Sequence, residues 1–141
     1  MLFRSRRIGV QPAVLKADPG AEFHTPEECW ILELSNSAAD PHLSIARARV
    51  VPGATTRWHR VRGTAERYVI LQGTGRVEVA DLAPHEVSTG DVVLIPPGAR
   101  QRIANTGAGD LVFLALCTPR DRKSTRLNSS HSQQSRMPSS A

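Results

Sequence analysis

The amino-acid sequence predicts an all-β domain of the sandwich or barrel type. Short runs of β-branched, aromatic and other apolar residues recur at intervals of about 8–12 residues, with Gly-, Pro- or Asn-bearing turns between them. No segment shows the 3.6-residue apolar period of an amphipathic helix, and no solenoid-type repeat occurs. The chain of 141 residues is long enough to bury one core but not two. We therefore expect a single all-β domain.

The first third of the chain predicts an arm and two strands. Residues 1–20 contain prolines and few periodic apolar residues, which indicates an extended arm with one edge strand near residues 13–15. Residues 22–35 predict a strand with apolar character on both faces, and residues 35–41 predict a loop. Residues 43–51 alternate well, and Arg47 and Arg49 at alternate positions indicate one solvated strand face.

The rest of the chain predicts six further strands, separated by turns at glycine and proline. We expect them at residues 55–62, 66–71, 76–80, 91–95, 100–105 and 111–117. The run at 76–80 is expected to pair back on 66–71 as a hairpin across Gly73. Residues 81–89 are expected to form a loop.

Glycines and polar residues recur at fixed spacings between residues 53 and 105. The first block places Gly53, His59, Glu66 and Gly73 in order, and the second places Gly90, Pro96, Gly98, Gln101 and Asn105. The runs between them alternate in character, which favours two hairpin-like units that face each other in a small barrel.

These two blocks resemble the two motifs of the cupin superfamily, G-x5-H-x-H-x3-4-E-x6-G and G-x5-P-x-G-x2-H-x3-N. The resemblance covers residues 48–119 closely. It implies a cupin double-stranded β-helix, an RmlC-like jelly-roll barrel, over residues 21–120. Two positions depart from the motifs: Val61 stands where a second histidine is usual, and Gln101 stands where the later histidine is usual.

Strand parity predicts which side chains of the two blocks face the barrel lumen. Successive residues of a strand point to opposite faces, so a lumenal His59 brings Arg57 and Val61 with it and turns Trp58 and Arg60 outwards. By the same reasoning Glu66 and Tyr68 share one face, as do Gln101 and Ile103. We expect His59, Glu66 and Gln101 to converge, with Tyr68 and Arg57 nearby.

The resemblance implies a divalent metal (Mn, Fe, Ni or Zn) at His59, Glu66 and Gln101, because these positions surround a metal in cupins. An amide oxygen is a weak neutral ligand and Val61 has no lone pair, whereas retained metals generally need three good ligands. The alternative is a metal-free polar cluster, in which Gln101 donates to Glu66 or accepts from His59.

A small molecule is the expected partner of this site, whether or not a metal is present. A barrel mouth with convergent polar groups and apolar walls is typical of a ligand site, here with Arg57, His59, Glu66, Tyr68 and Gln101 as candidate binding residues. Arg57 or Arg100 would pair with a carboxylate or phosphate, and His59 beside Glu66 would suit acid–base chemistry.

Three functions stay open, because fold alone does not choose among them. They are a small-molecule-binding cupin, a metal-dependent enzyme of the dioxygenase or sugar-phosphate isomerase kind, and a structural cupin with a degenerate site. The missing histidines at positions 61 and 101 favour the first and third. The likeness to small cupins also suggests a homodimer, which the N-terminal arm could serve.

The formal charge of +5 would by itself favour nucleic-acid binding, but the charge is unevenly distributed. Residues 1–120 carry 14 Lys and Arg against 12 Asp and Glu (+2), whereas residues 121–141 carry four against one (+3). We therefore expect no nucleic-acid partner. No run of 18 apolar residues and no signal peptide is present, so we expect no membrane partner and a cytoplasmic location. Cys29 and Cys117 are expected to be buried free thiols.

The last 21 residues have their own explanation. They are serine-rich and lack any apolar period, which predicts a disordered tail. The segments DRKSTRLNSSH and SRMPSSA resemble the translation of a common sequencing adapter. We interpret residues 121–141 as adapter-derived, which would mean that the natural chain continues beyond Arg120. The alternative is a genuine basic interaction tail.

Overall fold

The structure is a computed structural model that describes residues 9–122 and 126–128. After a short 3-10 helix, Pro19–Ala21, the described residues form strands β1 (Phe23–His24), β2 (Trp30–Ser35), β3 (Ser44–Val50), β4 (His59–Val61), β5 (Ala65–Gln72), β6 (Thr74–Val79), β7 (His85–Ser88), β8 (Val92–Ile95), β9 (Gln101–Asn105), β10 (Leu111–Thr118) and β11 (Arg126–Asn128). The predicted all-β class is confirmed.

The strands form two antiparallel sheets that face each other. The six-stranded sheet has the order β1-β2-β3-β10-β5-β8, and the five-stranded sheet has the order β11-β4-β9-β6-β7. Strands that are neighbours in one sheet are often distant in sequence, as the jelly-roll architecture requires.

The apolar core lies between the sheets and is concentrated towards one end of them. Val50, Ile103 and Leu111 are completely buried, and Leu111 is the register partner of Val50. At the other end of the same strand pair, Cys117 lies opposite Ser44, and on its other side it lies opposite Glu66. The inner face therefore changes from apolar to polar along β10, and the polar end holds the candidate site.

The predicted hairpin across Gly73 is wrong. β6 does not pair with β5 but with β7 and β9 in the opposite sheet. Gly73 has φ +87°, and a Cβ built there would lie 2.6 Å from the carbonyl oxygen of Asp110, so only glycine fits this crossing between sheets. The alternating pattern identified both strands correctly, but alternation alone does not say which strand is the neighbour.

Other predicted elements also needed correction. Residues 13–15 form no strand, and the predicted loop at 81–89 contains β7, which begins at His85. The predicted strand at 55–62 is regular only at His59–Val61, and the one at 22–35 is divided into β1 and β2 by a turn. In that turn the Thr25 amide donates to the Cys29 carbonyl at 2.9 Å, which ends one strand before the next begins.

Three residues of the predicted tail form a short strand in the structure. Arg126–Asn128 pairs antiparallel with β4, whose outer edge would otherwise be open in the five-stranded sheet. An open strand edge has unpaired backbone N–H and C=O groups that can bind any extended segment. The pairing therefore does not require a particular sequence in the tail. Residues 1–8, 123–125 and 129–141, with the corresponding parts of the predicted arm and adapter-derived tail, lie outside the described residues.

Removing residues 121–141 is expected to lower the melting temperature by less than about 5 °C, because a short edge pairing contributes about 1 kcal/mol or less. Thermal unfolding followed by circular dichroism would measure the change. A second truncation after Arg122 is the control, since it keeps the Asp121 amide hydrogen bond to Ser44 Oγ at 2.8 Å. A large drop in both truncations would contradict the adapter interpretation.

The sequence predicted that the arginines of β3 form a plain solvated face. The structure instead shows that Arg49 is held by several partners. The Arg49 guanidinium makes a two-point contact with the Glu22 carboxylate at 3.0 and 2.7 Å, and also lies 3.4 Å from Asp110. It further lies over the Trp30 ring, 5.3 Å from its centroid. The hydrogen bond from Arg49 holds the pKa of Glu22 below its ordinary value against the opposing effect of desolvation, and it raises the pKa of Arg49.

Glu22→Gln is expected to destabilise the fold by about 1 kcal/mol at neutral pH, because it removes a two-point ion pair that is only partly screened. A lowered folded-state pKa means that this stabilisation is present above the ordinary value of 4.5 and is lost as the pH falls through the folded-state pKa. Urea unfolding at pH 7 and pH 3 should show a difference from the unmodified chain only at pH 7. Glu86→Gln, an exposed carboxylate on β7, is the control, and an equal loss there or a difference that persists at pH 3 would contradict the assignment.

Two further sequence predictions concern thiols and membranes. Cys29 and Cys117 are both buried, as predicted. In the part of the chain that the structure describes, no helix is long and apolar enough to cross a membrane.

Apolar side chains are exposed on the outer face of β8, at the edge of the six-stranded sheet. Val92 and Leu94 are 57% and 68% exposed. This exposure does not by itself identify a partner, so the predicted homodimer stays a prediction.

Candidate functional site

A cavity of about 680 Å³ opens at the polar end of the barrel. Its walls come from β1, β2 and the turn between them, from the inner faces of β3, β5 and β10, and from the start of β4 and the chain entering it. The lining residues of most chemical interest are Glu27, Glu33, Arg57, His59, Glu66, Tyr68 and Cys117.

A buried hydrogen-bonded chain beside this cavity links the two sheets. Gln101, on β9 of the five-stranded sheet, is completely buried and donates from Nε2 to Glu66 Oε1 at 2.8 Å. The Tyr68 hydroxyl donates to Gln101 Oε1. Glu66 and Tyr68 are two residues apart on β5 of the six-stranded sheet, so both point inwards as parity predicted. We call Glu66, Gln101 and Tyr68 the bridging cluster.

The chain of bonds differs in one respect from the sequence prediction. Gln101 was expected to donate to Glu66 or to accept from His59. It does donate to Glu66, but its carbonyl accepts from Tyr68. Tyr68 is only 3% exposed. Its hydroxyl lies inside because Gln101 supplies a buried acceptor.

His59, on β4, lines the cavity and is 5% exposed. It is the register partner of Gln101, and its neighbour Val61 is buried on the same face, as predicted. The Nδ1 atom lies 2.9 Å from the carbonyl oxygen of Arg57. Since a carbonyl can only accept, Nδ1 carries the proton, and Nε2 is the accepting nitrogen when the ring is neutral.

The two arginines proposed as anion-binding groups lie away from the buried part of the site. The Arg57 side chain is half exposed and pairs with Glu28 at 3.2 Å, so it lies at the cavity rim. Arg100 stacks over the outward-facing Trp58 ring at 4.1 Å, with Arg102 at 4.4 Å over the same ring. Arg100 is therefore on the outside of the barrel.

Glu27 is a cavity residue that the sequence analysis missed. It lies in the turn between β1 and β2, is 8% exposed, and lines the cavity. Its carbonyl accepts the Arg57 amide at 2.9 Å, which ties the turn to the segment before β4. No local pattern marks Glu27, because a turn residue has no strand parity and only this tertiary contact places it at the site.

Other wall residues could have been found from parity. Phe113, Ala115 and Cys117 alternate on the inner face of β10, and Ala46 and Ala48 do so on β3. Their alternation was visible in the sequence, but the register that places Cys117 beside Glu66 was not.

The donor set around the cavity fits a transition metal poorly. Both polar groups of the Gln101 amide are already hydrogen-bonded within the protein, and Val61 occupies a position usual for histidine. Among the described residues, no group of three or more His, Cys, Asp and Glu side chains is arranged to hold a metal ion. Two good donors, His59 and Glu66, fall short of the three that retained metals usually require. Metal binding stays a prediction.

Comparison with known proteins agrees with this architecture. A family model described as a cupin domain matches residues 46–117. Among curated proteins, the uncharacterized protein MJ1618 of Methanocaldococcus jannaschii is 36% identical over 76 residues, which make up 54% of this chain. The chain spans 60% of the length of that relative.

Solved structures show the same fold. A predicted oxalate decarboxylase from Thermotoga maritima is similar with a TM-score of 0.67 and 24% identity, over 76% of this chain and 99% of that one. KdgF from Halomonas sp. matches with a TM-score of 0.63 and 17% identity, over 71% and 88%. An RmlC-like protein with a double-stranded β-helix fold from Methanocaldococcus jannaschii matches with a TM-score of 0.60 and 19% identity, over 79% and 94%. Likeness at these identities shows the fold alone.

Proposed function

Because the chain belongs to the cupin domain family, we propose that it is a small-molecule-binding cupin whose ligand enters the open end of the barrel and is bound without a metal. The observation that carries this proposal is the bridging cluster, in which Gln101 uses both ends of its amide within the protein.

The bridging cluster supports a metal-free site because a metal would have to displace existing bonds. For Gln101 to turn its oxygen towards a metal beside Glu66, it would have to give up its hydrogen bonds to Tyr68 and Glu66. An unsatisfied buried polar group costs about 1–3 kcal/mol, and a neutral amide oxygen recovers little of that from a transition metal. The fully bonded cluster is therefore the more stable arrangement.

The cavity supports a ligand-binding function by its size and composition. A volume of about 680 Å³ is within the range of small-molecule sites, and the lining combines apolar walls with a few polar side chains. Glu66 accepts a hydrogen bond at Oε1 from Gln101, and Glu66 also lines the cavity. The cluster thus orients Glu66 towards a ligand while Gln101 and Tyr68 hold it in place.

A metal-dependent enzyme is the second candidate, and the geometry of His59 favours it. Protonation at Nδ1 leaves Nε2 as the basic nitrogen, and Glu66 lines the same cavity. If a metal were bound, His59 and Glu66 would hold it and it would supply Lewis-acid chemistry. A structural cupin without a ligand is the third candidate.

Metal analysis of an untagged chain ending at Arg120 separates the first two candidates. We expect Mn, Fe, Ni and Zn to be well below one equivalent after purification, and to stay so after each metal is offered and the excess is dialysed away. Near one equivalent of any of them would contradict the metal-free proposal.

Ligand screening by thermal shift separates the first and third candidates. A ligand at about 100 times its Kd adds about 2.7 kcal/mol of stability, which is readily detected. Glu66→Gln is expected to weaken the binding of any hit at least tenfold, whereas Arg60→Gln, on the outward face of β4, is expected to leave it unchanged. Equal effects of the two substitutions, or no hit in a broad metabolite set, would contradict a lumenal binding site.

A further inference from the structure

The charges in the cavity are predominantly negative. Three carboxylates outside the predicted adapter-derived tail line it, those of Glu27, Glu33 and Glu66. Glu27 and Glu66 are only 8% and 4% exposed, so both lie in the protected part of the cavity. Asp121 also reaches the wall, but it belongs to the predicted adapter-derived tail, so the inference depends on Glu27 and Glu66.

Glu27 is a mostly buried residue that lines the cavity. Among the described side chains and backbone groups, no hydrogen bond or ion pair reaches its carboxylate. Its backbone is nevertheless held firmly, by the Arg57 amide at the Glu27 carbonyl and by the hydrogen bonds of the turn on either side. A mostly buried carboxylate with no partner in the protein suits a ligand that donates hydrogen bonds or carries positive charge.

The cationic side chain at the cavity does not neutralise these carboxylates. Among the described residues that line the cavity, one is an arginine, Arg57. Its half-exposed guanidinium pairs with Glu28 at the rim. An anionic ligand would have to approach Glu27 and Glu66 in a protected environment where like charges repel strongly. The sequence predicted a carboxylate or phosphate ligand at Arg57. The charges around the cavity disfavour such an anionic ligand.

The walls suit an organic ligand rather than a bare metal ion. The Tyr68 and Phe113 rings lie 4.4 Å apart between centroids at an angle of 41°, and both line the cavity beside small apolar residues of β3 and β10. Aromatic faces attract organic cations and accept their carbon skeletons at the same time. An inorganic cation has no carbon skeleton to contact these walls.

We infer that the cavity is selective for small organic cations, primary amines above all, with Glu27 and Glu66 binding the ammonium group and Tyr68 and Phe113 contacting the carbon skeleton. This inference rests on the metal-free binding function proposed above and names the chemical class of its ligand.

The test compares ligands that have the same number of carbon atoms but carry an ammonium, a hydroxyl or a carboxylate group. One matched set is benzylamine, benzyl alcohol and benzoate, and another is 1,4-diaminobutane, 1,4-butanediol and succinate. Binding of each to the full chain would be measured by ligand-observed saturation-transfer NMR and by titration. We expect the amine of each set to bind at least tenfold more tightly than its neutral analogue, and the carboxylate to show no binding.

Two neighbouring carboxylates provide the matched variants. Glu27→Gln keeps the shape of the side chain and removes its charge, and is expected to weaken amine binding at least tenfold. Glu28→Gln changes the next residue, which is outside the cavity lining and pairs with Arg57 and His24 at the rim. It is expected to change amine binding less than twofold.

The outcomes distinguish this inference from the proposed function. Tighter binding of an alcohol or a carboxylate than of the matched amine would overturn the cation selectivity and leave metal-free ligand binding intact. Amine binding that is equally sensitive to Glu27→Gln and Glu28→Gln would also overturn it, because surface charge alone would then explain the preference. Failure of all six compounds overturns the inference, and the metal analysis then decides separately whether the proposed function stands.

Discussion

Gln101→Leu is expected to lower the free energy of unfolding by about 3 kcal/mol, because it removes two buried hydrogen bonds at once. Leucine has a similar volume and preserves the packing, but it leaves the Tyr68 hydroxyl without its acceptor and the Glu66 carboxylate without its donor. The three side chains come from both sheets, so the substitution removes hydrogen bonds that hold the two sheets together. Urea unfolding followed by tryptophan fluorescence would measure the change.

The same substitution at an exposed position provides the control. Gln72→Leu lies at the end of β5, where the side chain is exposed and donates only a long hydrogen bond of 3.4 Å to the Asp110 carbonyl. We expect it to change stability by less than about 0.5 kcal/mol. Tyr68→Phe removes one bond of the bridging cluster and should cost about 1 kcal/mol, between the two leucine variants. A Gln101→Leu variant as stable as Gln72→Leu would show that the cluster does not stabilise the fold.

The combined substitution Val61→His and Gln101→His is expected to give a metal site with four donors and to raise the retained metal content. Val61 is buried on the same face of β4 as His59, and Gln101 is the register partner of His59 on β9. With Glu66 opposite, the change brings the number of imidazole and carboxylate donors from two to four, which suits Mn, Fe, Ni or Zn. These are also the two positions where the sequence departs from the cupin motifs.

Metal content after dialysis would show the effect, with a rise of at least tenfold to near one equivalent expected. The matched control combines Gln101→His with Val93→His, which introduces a histidine at a buried inner-face position of β8 instead. Circular dichroism would confirm that each variant is folded. A folded variant with histidine at both positions 61 and 101 that retains no more metal than the control would contradict the donor-count explanation.

Much of the candidate site could be predicted from local spacing. The alternation of β-strands places Glu66 with Tyr68 and Gln101 with Ile103 on inner faces, and the structure confirms both pairs. The spacing of glycines and polar residues from Gly53 to Asn105 indicated the cupin fold, which the family match also shows. These predictions succeeded because side-chain direction along a strand is a local property of the backbone.

Partners across the barrel were decided only by the tertiary structure. The sequence showed that Gln101 could bond to Glu66, but not that its oxygen would accept from Tyr68, nor that Arg57 would turn to Glu28 at the rim. It also gave no sign that Glu27 would lie in the cavity, or that β6 would cross to the other sheet at Gly73. Each of these contacts joins residues that are distant in sequence or lie in turns, where the period-two pattern carries no information about which groups meet.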